Sequence, residues 1–122
     1  MSGSLLVDTN IILYFLDGDE TLLPVLEENE LFVSFITELE LLSYTKLSKA
    51  ETKKVEQFLM SCTILDITSR IKELTINLRK KTTLKLPDSI IIATSLYLDT
   101  PFITADTDFK QVEEADLILY EK

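Results

Sequence analysis

Short apolar runs alternate with longer amphipathic segments along this chain of 122 residues. The short runs are rich in Leu, Ile, Val and Phe, and a short apolar run without polar alternation is typical of a strand that is buried on both faces. The predicted strands are 4–8, 31–34, 63–66, 101–104 and 117–120. The longer segments have apolar residues at helical spacing, and the predicted helices are 9–16, 21–29, 36–48, 50–60, 68–81 and 87–98.

This alternation restricts the fold class. Strands that are separated by helices usually pair in parallel, and the helices then cover both faces of the sheet. The sequence therefore predicts an α/β protein, a three-layer α/β/α sandwich with a mostly parallel sheet of about five strands, and residues 1–122 are predicted to form one domain. Ligands of such sheets bind beyond the carboxyl ends of the strands. The residues that follow each strand are therefore the first candidates for a site.

The chain has no His and a single cysteine, Cys62. A disulfide framework and every mechanism that uses histidine as a general base are excluded, and a Cys/His zinc site is disfavoured. A lone cysteine also suits a reducing compartment. Residues 1–4 lack the basic segment of a signal peptide, and the longest mostly apolar stretch, 90–98, is about half as long as a membrane-spanning helix. We therefore expect a soluble cytoplasmic protein that does not enter a membrane.

The formal net charge of −9 conceals an uneven distribution. Residues 46–85 contain ten Lys or Arg and four acids, whereas the rest of the chain contains two bases and seventeen acids. The basic residues could simply lie on solvated helix faces. They could also form a basic flank that a polyanionic substrate needs beside an acidic site. The candidates for phosphate contacts nearest in sequence to Asp88 are Arg79, Lys80, Lys81 and Lys85.

Two of the acidic residues at the ends of predicted strands are candidates for the site. Asp8 comes at the end of the first strand, and Asp106 follows the strand 101–104. Asp88 lies in the first turn of a very apolar predicted helix, and Asp108 comes two residues after Asp106. Each of them also fits a purely structural role, since Asp is favoured at helix N-caps, in turns and in first helical turns. The functional interpretation depends on several of them meeting at one end of the sheet.

Glu40 is predicted to point inward from the helix 36–48. At about 100° per residue, it falls within the arc that contains Ile36, Leu39 and Leu47, whereas Glu38 falls on the opposite side. A buried carboxylate must be paired, hydrogen-bonded or bound to a metal. A distant lysine or the backbone could satisfy Glu40. It could also join Asp8, Asp88 and Asp106 in a cluster of four carboxylates.

Such a cluster would repel itself and raise its own pKa values unless a cation joined it. Oxygen ligands without His or Cys suit Mg²⁺ or Mn²⁺. A carboxylate-bound divalent ion with open positions is typical of phosphoryl chemistry, because it activates a bound water and stabilises the charge that develops on the phosphate. Asp108 is a candidate fifth ligand.

Four short motifs in this order resemble the PIN domain family, and in particular its short VapC-type toxin ribonucleases. The motifs are VDTN at 7–10, SFITELELL at 34–42, LPDSIIIA at 86–93 and ITADTDF at 103–109. The resemblance covers essentially the whole chain. It implies that the acidic quartet of the family is Asp8, Glu40, Asp88 and Asp106, with Asn10 and Thr104 orienting a carboxylate or the attacking water. The family often has a basic residue where this chain has Ala105.

The resemblance further implies endonucleolytic cleavage of RNA that depends on Mg²⁺ or Mn²⁺. It also implies a homodimer and an antitoxin protein that inserts a peptide segment into the active-site groove. Some PIN domains act alone in RNA processing, and that remains an alternative. A non-catalytic binding or assembly module is a second alternative, in which the acids serve only as caps.

Two further enzyme classes fit the fold less well. An aspartyl-phosphate receiver domain needs an acidic pair after the first strand and a lysine near a late strand end, where this chain has Asp106. A phosphatase of the haloacid dehalogenase type needs a second aspartate two residues after Asp8, and that position is Asn10. An asparagine cannot donate and recover a proton in that role.

Overall fold

Five strands form a single sheet in the computed structural model, which describes residues 3–121. All of the strand pairs are parallel, and the order across the sheet is β3-β2-β1-β4-β5. The predicted parallel sheet of about five strands is therefore confirmed. The strands are β1 (Ser4–Val7), β2 (Glu30–Ser34), β3 (Thr63–Leu65), β4 (Phe102–Thr104) and β5 (Leu117–Leu119).

Six α-helices cover the two faces of this sheet within the described residues. Two short 3-10 helices, Glu20–Leu22 and Thr107–Gln111, complete the regular structure of the same part of the chain. None of these helices combines the length and the hydrophobicity that crossing a membrane requires. The α-helices are α1 (Thr9–Leu16), α2 (Leu23–Glu27), α3 (Phe35–Leu42), α4 (Lys49–Met60), α5 (Ser69–Lys81) and α6 (Leu86–Leu98).

Each face of the sheet has its own buried core, because successive side chains of a strand point to opposite faces. In β1, Leu5 and Val7 pack with α1 and α4, whereas Leu6 packs with α5 and α6. In β4, Ile103 belongs to the first core and Phe102 to the second. Apolar residues on both faces of the central strands thus produce the three layers that the sequence predicts.

The chain reverses its direction across the sheet beside β1. From β1 it moves outward through β2 to β3, and it then returns to place β4 on the other side of β1. Val7 and Ile103 pair at this junction, so that the carboxyl ends of β1 and β4 lie next to each other. Parallel α/β sheets bind ligands at such a switch point.

The predicted helix 36–48 was wrong in its second half, because α3 ends at Leu42. The hydroxyl of Ser43, the residue that follows the last turn, donates to the carbonyl oxygen of Leu39 at 2.6 Å. A new helix then begins after Ser48, whose Oγ accepts from the backbone of Glu51, while the Glu51 side chain accepts from the backbone of Ser48. This capping box marks the start of α4 at Lys49, one residue before the start predicted from the sequence.

The predicted helix 21–29 is also interrupted. The 3-10 helix Glu20–Leu22 comes first, and α2 begins at Leu23 with Pro24 in its first turn. Proline is tolerated in a first turn, where the backbone N–H has no helical partner. The other predicted elements agree with the structure to within one or two residues at their ends.

Candidate active site

Asp8 lies at the junction between β1 and α1, where its side chain caps the helix. Its Oδ1 accepts from the backbone N–H of Thr9 at 2.8 Å, and its Oδ2 accepts from the hydroxyl of Thr104 at 2.6 Å. Asp8 is only 7% exposed. Burial raises the pKa of Asp8 to about 6, although the two hydrogen bonds oppose this shift, and the negative charges of Asp88 and Glu40 add to it.

Glu40 reaches Asp8 from the neighbouring helix α3. Its Oε1 accepts a hydrogen bond of 2.7 Å from the hydroxyl of Thr9, the residue that follows Asp8. The charge of Glu40 also acts on Asp8 and on Asp88. Glu40 is therefore part of one acidic group with Asp8 and Asp88, to which Asp106 also belongs. Its side chain is exposed to solvent and not buried.

The predicted orientation of α3 was wrong. The buried residues of this helix are Thr37 and Leu41, whereas Leu39 is 56% exposed. Glu40 lies at the edge of the buried face. Glu38 is half-buried, whereas the sequence predicted that it is solvated. The predicted arc contained Leu39, which is exposed, and Leu47, which lies beyond the end of the helix, and it omitted the buried Leu41.

Asp88 approaches the group from the first turn of α6 and is half-buried. Burial is the main reason that the pKa of Asp88 is raised. The negative charges of Asp106 and Glu40 raise it further, and that of Asp108 adds a smaller effect. The positive charge of Lys85, at the N-cap of the same helix, partly offsets these effects.

Asp106 and Asp108 follow β4. Asp106 caps the 3-10 helix Thr107–Gln111, and its Oδ1 accepts from the backbone N–H of Asp108 at 2.9 Å. The backbone N–H of Asp106 in turn donates to the Oγ1 of Thr104 at 3.1 Å. Asp106 is half-buried, and Asp108 is exposed. The Asp106 carboxylate thus has the capping role predicted for such a position, and the negative charges of both Asp106 and Asp108 act on Asp88.

Of the two predicted orienting residues, only Thr104 bonds to an acid in the described residues. It is fully buried, donates to Asp8 and accepts from the backbone of Asp106, so it links the ends of β1 and β4. Asn10 is exposed, and its side chain forms no hydrogen bond to any residue between 3 and 121. Thr9 was missed by the sequence reasoning, because a threonine after an N-cap carries no signal of its own.

The acidic group contains no close cation. Among residues 3–121, the only pair of opposite charges within 4.0 Å is Arg70 with Glu73, 3.5 Å apart on α5. In that same part of the chain, no set of three or more acidic or cysteine side chains is arranged to hold a metal ion. The donor set nevertheless suits Mg²⁺ or Mn²⁺. All of its donors are oxygens, and each oxygen of Asp8 makes a single hydrogen bond, which leaves it a free lone pair.

The predicted basic contacts divide into two kinds. One guanidinium nitrogen of Arg79 donates to the carbonyl oxygen of Leu84 at 2.7 Å, so Arg79 closes the connection between α5 and α6. Lys80, Lys81 and Lys85 are exposed, and their ammonium groups make no ion pair within residues 3–121. They remain available to a polyanionic ligand.

A comparison of the amino-acid sequence with models of protein families identifies the family of this chain. The family model described as PIN domain matches residues 5–115. The chain belongs to the PIN domain family. A comparison with curated protein sequences found no match.

Solved structures similar to this PIN domain include proteins of toxin–antitoxin complexes. VapBC2 from Rickettsia felis, bound to a DNA fragment from its promoter, matches with a TM-score of 0.81 and 20% identity over 97% of this chain and 99% of that chain. A toxin–antitoxin complex from Klebsiella pneumoniae matches with a TM-score of 0.79 and 29% identity over 97% and 99%. VapBC-1 from Haemophilus influenzae matches with a TM-score of 0.80 and 19% identity over 95% and 97%. These matches confirm the PIN-like fold.

Proposed function

We propose that this PIN domain is a metal-dependent endoribonuclease and the toxin of a toxin–antitoxin pair. The observation that carries the proposal is the group formed by Asp8, Glu40, Asp88 and Asp106 at the switch point of the sheet. Burial is the largest cause of the raised pKa values of Asp8 and Asp88, and the negative charges of neighbouring members of the group raise both further. Mutually repelling carboxylates without a close cation are suited to bind one from solution.

These four carboxylates would hold Mg²⁺ or Mn²⁺, with Asp108 as a further ligand. When bound, the ion would lower the pKa of a coordinated water and stabilise the negative charge on the phosphate that is cleaved. Thr104 holds Asp8 in place through its Oδ2. The exposed Glu40 and half-buried Asp88 leave one side of the group open to solvent, where a phosphodiester of RNA would bind.

The proposed partners follow from the similar structures and from the resemblance in the motifs. The similar structures include VapBC complexes and a toxin–antitoxin complex, which supports an antitoxin protein as the partner of this chain. We further propose a homodimer and a cytoplasmic location. A stand-alone PIN nuclease of RNA processing would have the same site without the antitoxin.

We expect the purified protein to cleave a labelled single-stranded RNA in the presence of Mn²⁺ or Mg²⁺ and not in EDTA. Asp88→Asn protein, purified in the same way, should be inactive, because a carboxamide no longer supplies an anionic ligand. The measurement is gel analysis of the RNA over time. Equal cleavage by wild type and Asp88→Asn would identify a contaminating nuclease and contradict the proposal.

The second candidate, a non-catalytic module, gives a different result in a melting experiment. A ligand that binds only the folded protein raises its melting temperature once its concentration exceeds the Kd. Folded wild-type protein that neither cleaves RNA nor melts at a higher temperature with millimolar Mn²⁺ would support the module. A shift without cleavage would indicate a nuclease of narrow specificity.

The basic side chains near Asp88 should affect RNA binding unequally. Replacing Lys80, Lys81 and Lys85 together by Ala should weaken RNA binding and reduce the slope of log K against log salt by up to about 2, since each phosphate contact on a single strand contributes about 0.7. Arg79→Ala should instead lower the free energy of unfolding by about 1.5–3 kcal/mol, because it removes a charged hydrogen bond to the Leu84 carbonyl. Filter binding at several salt concentrations and urea denaturation measure the two effects. An unchanged salt slope in the triple variant would show that these lysines are only solvated.

A further inference from the structure

Thr9 contacts two carboxylates of the acidic group at once. Its backbone N–H donates to Oδ1 of Asp8 at 2.8 Å, and its hydroxyl donates to Oε1 of Glu40 at 2.7 Å. Its side chain lies at the start of α1, and only 7% of the residue is exposed. Thr9 therefore connects the end of β1 with α3 through the two groups that face the site.

A second threonine supports this contact from the interior. The Oγ1 of Thr37, which is fully buried, lies 3.0 Å from the Oγ1 of Thr9. A hydroxyl has one proton to donate, and a carboxylate can only accept. The single proton of Thr9 therefore has two acceptors within reach, Oε1 of Glu40 at 2.7 Å and Oγ1 of Thr37 at 3.0 Å, and the shorter contact is the one to Glu40.

The positions of these threonines explain why their hydroxyls are free for this purpose. Buried threonines within helices usually donate to the carbonyl four residues earlier, as Thr75 and Thr94 do here at 2.8 Å each. Thr9 is the first residue of α1, and Thr37 is the third of α3. The carbonyl four residues earlier belongs in both cases to a strand, so both hydroxyls bond between elements instead.

We infer that Thr9, supported by Thr37, is a positioning residue that holds the Glu40 carboxylate beside Asp8 for a divalent cation; this inference rests on the proposed function. Glu40 is exposed, and a free glutamate side chain loses rotamer entropy when it is fixed by a ligand. The hydrogen bond from Thr9 fixes it before the cation binds. Partners of metal ligands change metal affinity by about 10- to 100-fold when they are removed.

The test compares Mn²⁺ affinity in matched threonine variants, with free Mn²⁺ measured by electron paramagnetic resonance. Thr9→Val keeps the shape and removes the hydroxyl, and it should weaken Mn²⁺ binding by about 10- to 100-fold. Thr9→Ser retains the hydroxyl and should restore binding to near the wild-type value. Thr75→Val, which removes a buried hydroxyl away from the acidic group, should leave the affinity unchanged.

A double-mutant cycle separates positioning from a general structural role. If Thr9 acts through Glu40, then Thr9→Val should cause no further loss of Mn²⁺ affinity in a Glu40→Gln protein. An equal loss in both backgrounds would overturn the inference, as would wild-type affinity in the single variant. Should Thr9→Val melt below the assay temperature, Thr37→Val replaces it, with a smaller loss expected and an unchanged affinity again overturning the inference.

Failure of the proposed function has a different signature. Wild-type protein that binds no Mn²⁺ and cuts no RNA would contradict the nuclease itself, and the inference about Thr9 would fail with it. Wild-type protein that binds Mn²⁺ as tightly as its Thr9→Val variant would leave the nuclease intact and contradict only the positioning role.

Discussion

Asp8→Asn should reduce metal-dependent RNA cleavage by about 100- to 1,000-fold, since a metal ion that loses a carboxylate ligand loses several kcal/mol of transition-state stabilisation. The same change should make the metal-free protein more stable. An Asn side chain can still accept from the N–H of Thr9, and its amide can donate to Thr104. The charge that burial disfavours is then absent.

The pH dependence of stability tests this reasoning directly. The pKa of Asp8 is about 6 in the folded protein, above its ordinary value of 3.8, so the folded state holds the proton more tightly than the unfolded state. Stability is therefore lost as the pH rises from about 4 to above 6, by up to about 3 kcal/mol from this group. Asp8→Asn should remove that part of the slope. Because the pKa of Asp88 is also raised, the Asp8→Asn protein should still lose some stability as the pH rises.

Urea denaturation in EDTA at pH 4.5 and pH 7.5 measures both effects, and wild-type protein at the same pH values is the control. The difference in unfolding free energy between the variant and wild type should grow with pH. A variant that is less stable than wild type at pH 7.5 would show that Asp8 is needed for the fold through more than its shape. It would contradict the view that the Asp8 carboxylate is buried mainly because it binds a metal ion.

Glu40→Gln should reduce cleavage about as strongly as Asp8→Asn, whereas Glu38→Gln on the same helix should leave cleavage near wild type. Glu40 shares a hydrogen bond with Thr9 beside Asp8. Glu38 instead lines a shallow groove with Leu42 and Met60. The two variants remove the same charge two residues apart, so they are a matched pair. Initial cleavage rates at saturating Mn²⁺ and the Mn²⁺ affinity of each protein provide the comparison.

Equal losses in the two variants would show that the net charge of α3 matters and not the position of one carboxylate. A loss confined to Glu38→Gln would remove Glu40 from the site. Melting temperatures must accompany the rates, because Glu38 is half-buried and its replacement could alter stability without affecting the chemistry.

The sheet and most of its helices could be predicted from the sequence because β1 and β4 are apolar on both faces, which is typical of strands covered by helices on both sides. The positions of Asp8 and Asp106 could be predicted for a related reason: parallel strands bring their carboxyl ends to one edge. The face of α3 could not be predicted. The helix ends at Leu42, and the next one begins after the cap at Ser48, so an angular average that includes Leu47 uses a residue outside the helix.

The contact of Thr9 with Glu40 lay outside sequence reasoning for a different reason. It joins residues 31 positions apart in the chain, and it depends on how far α3 approaches α1. Only the packed structure determines that distance. Arg79 shows the same limit, because its hydrogen bond to Leu84 gives it a structural role that its charge did not indicate.

The hydrogen bond between Thr104 and Asp8 spans 96 residues, and this has a consequence during translation. A ribosome releases Asp8 well before β4. Until β4 pairs with β1, Asp8 lacks Thr104, and the carboxylate of Asp106 has not joined the group. Under the proposed function, a nascent chain that ends before residue 102 therefore lacks part of the site, and the ability to cut RNA arises only after β4 and Asp106 have been made.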